Sequence, residues 1–549
     1  MPDAIKGFVM RKSFLCLLSL VLALVASAAP PQAAPQGTPK LILTLVVDQF
    51  RYDYLTRFRS DYNGGLARLL THGAVFSNAH YEHFPTVTAI GHSTILSGAT
   101  PSISGIVGNE WYDRELNKQV TSVSDSTVQL LGGRAGETGA SPRKLLVSTI
   151  GDELKMSGKG TPRVIGMSIK DRSAILPAGH MADAAYWFDD VTGNFVSSTY
   201  YFADLPAWVK AFNSGRAVDR YITKQWSSNS GTAGAVPQVF ATMPPKPDSA
   251  YFKLLERTPF GNEVLELFAE HAIEAEQLGQ RGTTDLLSVS FSSNDYVGHG
   301  VGPDAPEVRD ISIQTDRLFA RLLDFVDRKV GLDNVLVIFT ADHGVSPLPE
   351  LMKQRKMPGG RMSARVVLDG VQKAIAAKYG EGNWVIGKSG PAPYFNYQLI
   401  RERKLDLAEV QRVAADAVRN IPHIARVYTR EQLKNGQILE DRIGRRVRNG
   451  FNNERGSDLF IVVEPYWLFE ERGTSHGTPY NYDSHVPVIF MGRGIKAGQY
   501  NQPIAVNDIA PTVATFLAIE TPSGAEGRVL DEMLTAPAPG VHLSSYVEK

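Results

Sequence analysis

Apolar runs of strand length punctuate this chain, with helical patterns between them. The runs are Leu41–Val47 (LILTLVV), 163–169, Asp285–Phe291 (DLLSVSF), 334–340 (NVLVIFT), Leu459–Val463 and 487–491. They are nearly continuous rather than alternating, as in strands covered on both faces. Segments 262–278, 306–328, 363–378 and Leu407–Arg419 instead repeat apolar residues at helical spacing. Strands interleaved with helices predict an α/β fold: a three-layer α/β/α sandwich around a largely parallel central sheet. The predicted domain spans 41–535, followed by a tail at 536–549. Around 109–162, 200–261 and 348–455 the chain turns richer in Gly, Pro and polar residues. These lengths exceed ordinary connections and predict cap insertions, serving as lids, as specificity elements or as plain surface additions.

Composition changes this picture at the N-terminus. Met10-Arg-Lys12 is basic, 14–25 is apolar, and Ala26-Ser-Ala28 suits a cleavage site, so residues 1–28 read as a signal peptide. A retained anchor is the alternative, and the start could be Met1 or Met10. Residues 29–40, rich in Pro, Ala and Gln, read as a disordered leader. The mature protein is therefore expected to be periplasmic or secreted, without a membrane anchor. The one cysteine, Cys16, lies in the apolar run. A mature chain would have no disulfide, no thiolate ligand and no cysteine nucleophile. With 57 Lys+Arg against 57 Asp+Glu, the formal net charge is +0, which argues against a general nucleic-acid or membrane-surface binder.

The candidate chemistry lies where strand patterns end. Asp48, Asp295 and Asp342 each stand at or just past such an end. Singly, such residues read as helix caps or turn formers. Histidines sharpen the reading: His299 is four residues beyond Asp295, one helical turn away, and His343 adjoins Asp342. His476 stands in the Gly-containing string TSHGTP. Carboxylate–imidazole pairs suit zinc, and two sets suggest two ions acting on a charged ester.

Seven strings occur in order: LVVDQFRYDYL, FPTVTAIGHSTILSG, GIVGNEW, SIKDRSAILPAGH, NDYVGHGVGP, TADHG and TSHGTPYNYDSHVP. Together they resemble the alkaline phosphatase superfamily, most closely the PafA-type periplasmic alkaline phosphatases, from residue 41 to about 530. The resemblance implies one zinc on Asp295, His299 and His476 and another on Asp48, Asp342 and His343. Two such ions about 4 Å apart hold attacking and leaving oxygens in line. His485 is the rival to His476. His72, His80, His83, His180, His271, His423 and His542 have no partner motif and read as surface or satisfied core residues.

Residues 84–98 read as a loop entering a short helix that stops at Gly98. Spacing alone makes Thr88 a helix cap. The resemblance makes it the nucleophile, with Thr86, Ser93 and Thr94 as rivals, and implies a phosphothreonine intermediate. Lys170 and Arg172, two apart on what reads as extended chain, are expected to face one anion while Asp171 points away. In the resembling family this pair and an asparagine, here Asn109, contact the non-transferred phosphate oxygens. Small phosphate monoesters are thus the expected substrates, ahead of diesters. The alternatives are a nucleotide pyrophosphatase/phosphodiesterase-like hydrolase with the same metal core, or a non-catalytic periplasmic metal- or phosphate-binding protein. A sulfatase is disfavoured because its Cys/Ser-x-Pro-x-Arg motif is missing.

Overall fold

The computed structural model describes residues 38–228 and 237–535. The proposed signal peptide, residues 29–37 of the leader and the tail from 536 lie outside the described residues. Just ahead of the first strand, Lys40 donates its N–H to the Asn334 carbonyl (2.7 Å). Among the described residues no helix is long and apolar enough to cross a membrane.

The first strands to define are β1 (Leu41–Val47), β2 (Val164–Ser168), β3 (Ala184–Phe188), β4 (Asp285–Phe291) and β5 (Val335–Thr340). Every residue in them is buried, which is why their sequences do not alternate. They form the parallel centre of an eleven-stranded sheet in the spatial order β5-β1-β4-β2-β3. Toward one edge, β6 (Val488–Met491) pairs antiparallel with β5. Toward the other, Phe195–Ser198 pairs antiparallel with β3. The sheet is therefore parallel at its centre and mixed outward.

Register matters for function. Val47 pairs with Phe291, Val46 with Thr340, and Ser290 with Ser168. The ends of β1, β2, β4 and β5 are therefore level, and the residues after them emerge at one edge. That carboxyl edge is where open α/β sheets bind ligands.

Helices α1 (Thr88–Ser97), α2 (Asp171–Ala178), α3 (Pro259–Ala275), α4 (Ser293–Val301) and α5 (Pro306–Val330) belong to this sandwich. Helix α5 starts with Pro at its first turn, buries Ile311, Leu318, Leu322 and Val326 on one stripe, and stops at Gly331 with φ 81°. Its one fully buried acid, Asp316, accepts four backbone N–H groups, from Asn63, Gly64, Leu66 and Ala67. Those bonds replace the water that this carboxylate loses.

The run Leu459–Val463 forms a strand as expected but does not join the central sheet. It pairs antiparallel with Ile424–Thr429. That pair packs with α6 (Ala364–Tyr379) and α7 (Leu407–Arg419) around Val367, Val371, Val410 and Val418. The third Gly/Pro-rich stretch thus carries a small α/β core of its own. Apolar content marks a strand as buried without saying which sheet buries it.

Candidate active site

Helix α4 begins just after β4, so Asp295 falls in its first turn and His299 one turn later on the same face. The distance from Asp295 Oδ1 to His299 Nε2 is 3.2 Å. His476 arrives from far along the chain. Gly473, with φ 63°, lies where an added Cβ would stand 2.0 Å from the His299 carbonyl oxygen. That contact lets Thr474 exchange hydrogen bonds with His299: its N–H donates to the His299 carbonyl, and its carbonyl accepts from His299 Nδ1 (2.8 Å). His476 Nε2 then lies 3.8 Å from Asp295 Oδ1.

The second group comes from strand ends alone. Asp48 follows β1, and Asp342 and His343 follow β5. All three are fully buried. His343 Nε2 lies 3.5 Å from Asp48 Oδ1 and 3.3 Å from Asp342 Oδ2. Within each group the ligand atoms lie inside 4.8 Å of one another. The His343 and His476 rings stack at 3.5 Å, so the groups are neighbours.

The proton positions test whether these groups fit a cation. Nδ1 of His299, His343 and His476 each faces a backbone carbonyl, those of Thr474, Gly344 and Thr86. A carbonyl only accepts, so each Nδ1 carries a proton; burial keeps His343 and His476 neutral, so their Nε2 atoms present lone pairs, whereas at His299 burial is outweighed by Asp295, which raises the pKa. In the buried group that lone pair faces Asp48 Oδ1 and Asp342 Oδ2, and neither oxygen has a hydrogen-bond partner among the described residues. Two buried carboxylate oxygens around one imidazole lone pair make a candidate divalent-cation donor set, of the mixed N/O type that zinc takes.

Charge balance agrees. Burial, reinforced by Asp295 and Asp342, pushes the Asp48 carboxyl well above its usual range. Burial opposes ionisation of Asp295 too, but His299 and Lys170 hold it well below. Lys170 Nζ is 2.6 Å from Asp48 Oδ2 and 2.6 Å from Asp295 Oδ2, one carboxylate of each group. Burial would strip its proton, and those two carboxylates keep it charged.

Thr88 opens α1. The capping position is Val87, which has no side-chain acceptor, so Thr88 is not the cap that spacing suggests. Its hydroxyl lies 3.4 Å from His343 Nε2. The rival hydroxyls are engaged elsewhere: Thr86 donates to the Thr478 carbonyl, Ser93 to Ile90 and Thr94 to Ala99. Gly91 permits the placement, since a Cβ there would stand 2.1 Å from the Asp342 carbonyl oxygen. Gly98 ends the helix at φ 68°.

The expected geometry of Lys170 and Arg172 needs correction. The chain is extended at Lys170 (φ −90°, ψ 135°) and turns helical at Asp171, so alternation does not carry through to Arg172. Arg172 lies in the first turn of α2, with Nη1 3.6 Å from Asp171 Oδ1 rather than opposed to it. Asn109 Oδ1 accepts from the Ala89 N–H (2.8 Å), which leaves its amide N–H groups as donors at the adjoining cleft. His485 donates to the Ser77 carbonyl between the rings of Tyr52 and His80, away from both groups. His542 lies outside the described residues.

A family profile described as "Type I phosphodiesterase / nucleotide pyrophosphatase" matches residues 42–485. The chain belongs to that family. Among its relatives is the alkaline phosphatase PafA of Elizabethkingia meningoseptica. It is 38% identical over 94% of this chain and 98% of the relative. Alkaline phosphatase PhoV of Synechococcus elongatus is 36% identical, over 96% of this chain and 100% of the relative. The crystal structure of wild-type PafA matches with a TM-score of 0.84 at 36% identity, covering 92% of this chain and 100% of that one. The chain is thus an enzyme of the alkaline phosphatase superfamily.

Two residues of this family member were not singled out from sequence. Gln49 adopts φ 63°, a left-handed conformation uncommon for a side-chain-bearing residue. There its backbone N–H donates to Asp342 Oδ1 (3.1 Å) while its side-chain amide donates to Asp295 Oδ1 (2.5 Å), tying the two groups together. A Cβ on Gly298 would stand 1.9 Å from Gln49 Oε1. That otherwise unexplained mid-helix glycine is the signal in the sequence. His92 binds the Thr88 carbonyl (2.9 Å) and Ser290 Oγ (2.7 Å), pinning α1 to β4.

Proposed function

We propose that this enzyme hydrolyses phosphate monoesters, with Thr88 as nucleophile and with zinc at both ligand groups. One zinc would be held by Asp295, His299 and His476 and the other by Asp48, Asp342 and His343. When bound, such ions supply Lewis-acid charge for phosphoryl oxygens and lower the pKa of a hydroxyl beside them. The observation that carries the reading is the Thr88 hydroxyl, 3.4 Å from His343 Nε2 of one ligand set, whose ring stacks on His476 of the other.

In the proposed sequence Thr88 Oγ1 forms a bond to phosphorus as the ester P–O bond breaks and the alcohol leaves. Water then cleaves the phosphothreonine, releasing phosphate and restoring the hydroxyl. The Asn109 amide, Lys170 and Arg172 would serve the non-bridging phosphoryl oxygens. A monoester dianion has one more charged oxygen than a diester, so two cations and a donor favour it. The basic and apolar segment at 10–28 supports export, with action in the periplasm or outside the cell.

The family profile's description favours a second reading, a phosphodiesterase on the same metal core. Rates of the zinc-loaded protein on an aryl phosphate monoester and on the corresponding diester decide between them. The monoester is expected to be the faster, and a faster diester overturns the proposal.

A further inference from the structure

A cleft of about 610 Å³ opens directly beside the ligand groups. Its lining includes His299, His476 and Asn109 at the site, Phe84 and Val87 ahead of α1, and Phe460, Trp467 and Phe469 from the segment that packs with α6 and α7, here called the cap wall. A phosphoryl group alone cannot fill such a space, which has the size of sites that enclose an organic molecule.

We infer that the cleft is a leaving-group subsite for the uncharged aromatic part of a phosphate monoester; this rests on the monoesterase reading above. Three observations support it. The cleft is continuous with the groups proposed to hold the phosphate, so an ester bound there extends its alcohol into the cleft. The cap wall is braced: Trp467 stacks on His423 with ring centroids 3.4 Å apart and planes 10° apart, and His423 is in turn bonded to Glu464. A planar, prefixed aromatic wall suits a ring more than a flexible chain, because little ordering is left for binding to cost. The rim is of mixed sign, Lys388 against Glu110 and Glu470, and so offers no field to select a charged alcohol. The cap thereby acts in specificity rather than chemistry: phosphate is held on the sheet edge, and the ring is chosen by the cap.

Titrating the zinc-loaded full-length protein calorimetrically with methylphosphonate and benzylphosphonate tests this. Both ligands carry the same headgroup on a C–P bond that the enzyme does not hydrolyse. Benzylphosphonate is expected to bind about tenfold or more tightly, from the apolar area its ring buries. Trp467→Ala and, separately, Phe469→Ala should shrink that advantage while methylphosphonate affinity holds. Equal affinity of the two ligands for the wild-type protein overturns the subsite and leaves the phosphate site standing. Equal losses for both ligands in both variants overturn it as well, since the cap wall would then only support the phosphate site. Failure of either phosphonate to bind overturns the phosphate-site reading beneath it.

Discussion

The two ligand groups use the same residue types and are built differently. Asp48, Asp342 and His343 leave two adjacent parallel strands whose register is locked by a fully buried core. Asp295, His299 and His476 join a helix turn to a loop some 175 residues away, through the Thr474–His299 exchange (|i−j| 175). The His299 side chain keeps 34% exposure, whereas His343 has none. One group is therefore part of the core, and the other is assembled on it beside the open cleft. A prefixed set loses less freedom on binding a cation, and a buried one exchanges with water more slowly.

The sharpest break tests the hydroxyl that faces the buried group. Thr88→Ala should lower monoester turnover by about a thousandfold or more. Elemental analysis should still find both metals. Near-wild-type rates, or loss of metal, would undo the assignment of Thr88 as nucleophile.

Next in size is the charge that links the groups. Lys170→Ala/Arg172→Ala should cut monoester kcat/KM by about a hundredfold and diester kcat/KM much less. Equal losses on both substrates would remove these residues from substrate discrimination. Gln49→Ala, which removes the amide on Asp295 without touching a ligand, should weaken metal retention by about 10- to 100-fold in chelator competition. Because that amide bonds only the Asp295 side, the looser equivalent should leave first, and Gln49→Glu should be worse than Gln49→Ala. Simultaneous release of both metals would erase the contrast drawn here.

The last test reads stability rather than turnover, and concerns the segment that leads to Thr88. His83 is fully buried with neither ring nitrogen bonded among the described residues, and burial, aided by Arg446, lowers its pKa to about 3. An unfolded histidine titrates near 6.5, so the unfolded chain takes up this proton first as pH falls. Stability present above about 6.5 is then lost toward 3, at about 1.4 kcal/mol per pH unit. Denaturation of chelator-stripped protein at neutral and mildly acid pH measures this slope, and His83→Phe should flatten it.

Legibility differed by element for physical reasons. Leu41–Val47, Asp285–Phe291 and Leu407–Arg419 form with the bounds their patterns predict, because full burial or a clean helical stripe leaves one solution. The end of β2 was misjudged. Apolar content carries through Ile169, but the turn into α2 at Asp171 depends on tertiary packing, so alternation misplaced Arg172. Gln49 escaped notice because a left-handed residue between two carboxylates has no local pattern. Leu459–Val463 was placed in the wrong sheet because burial carries no address.

The sequence by itself determined which residue types are available: aspartates after apolar runs, histidines one turn or one residue on, and a single cysteine, Cys16, far along the chain from every candidate ligand. Those follow from local chemistry and periodicity, which act over a few residues. The tertiary structure alone decided that His476 rather than His485 reaches Asp295, that Lys170 bridges both groups, and that Trp467 and Phe469 line the adjoining cleft. Each of these depends on strand register and on close approaches such as those at Gly91, Gly298 and Gly473, which exist only after distant segments pack.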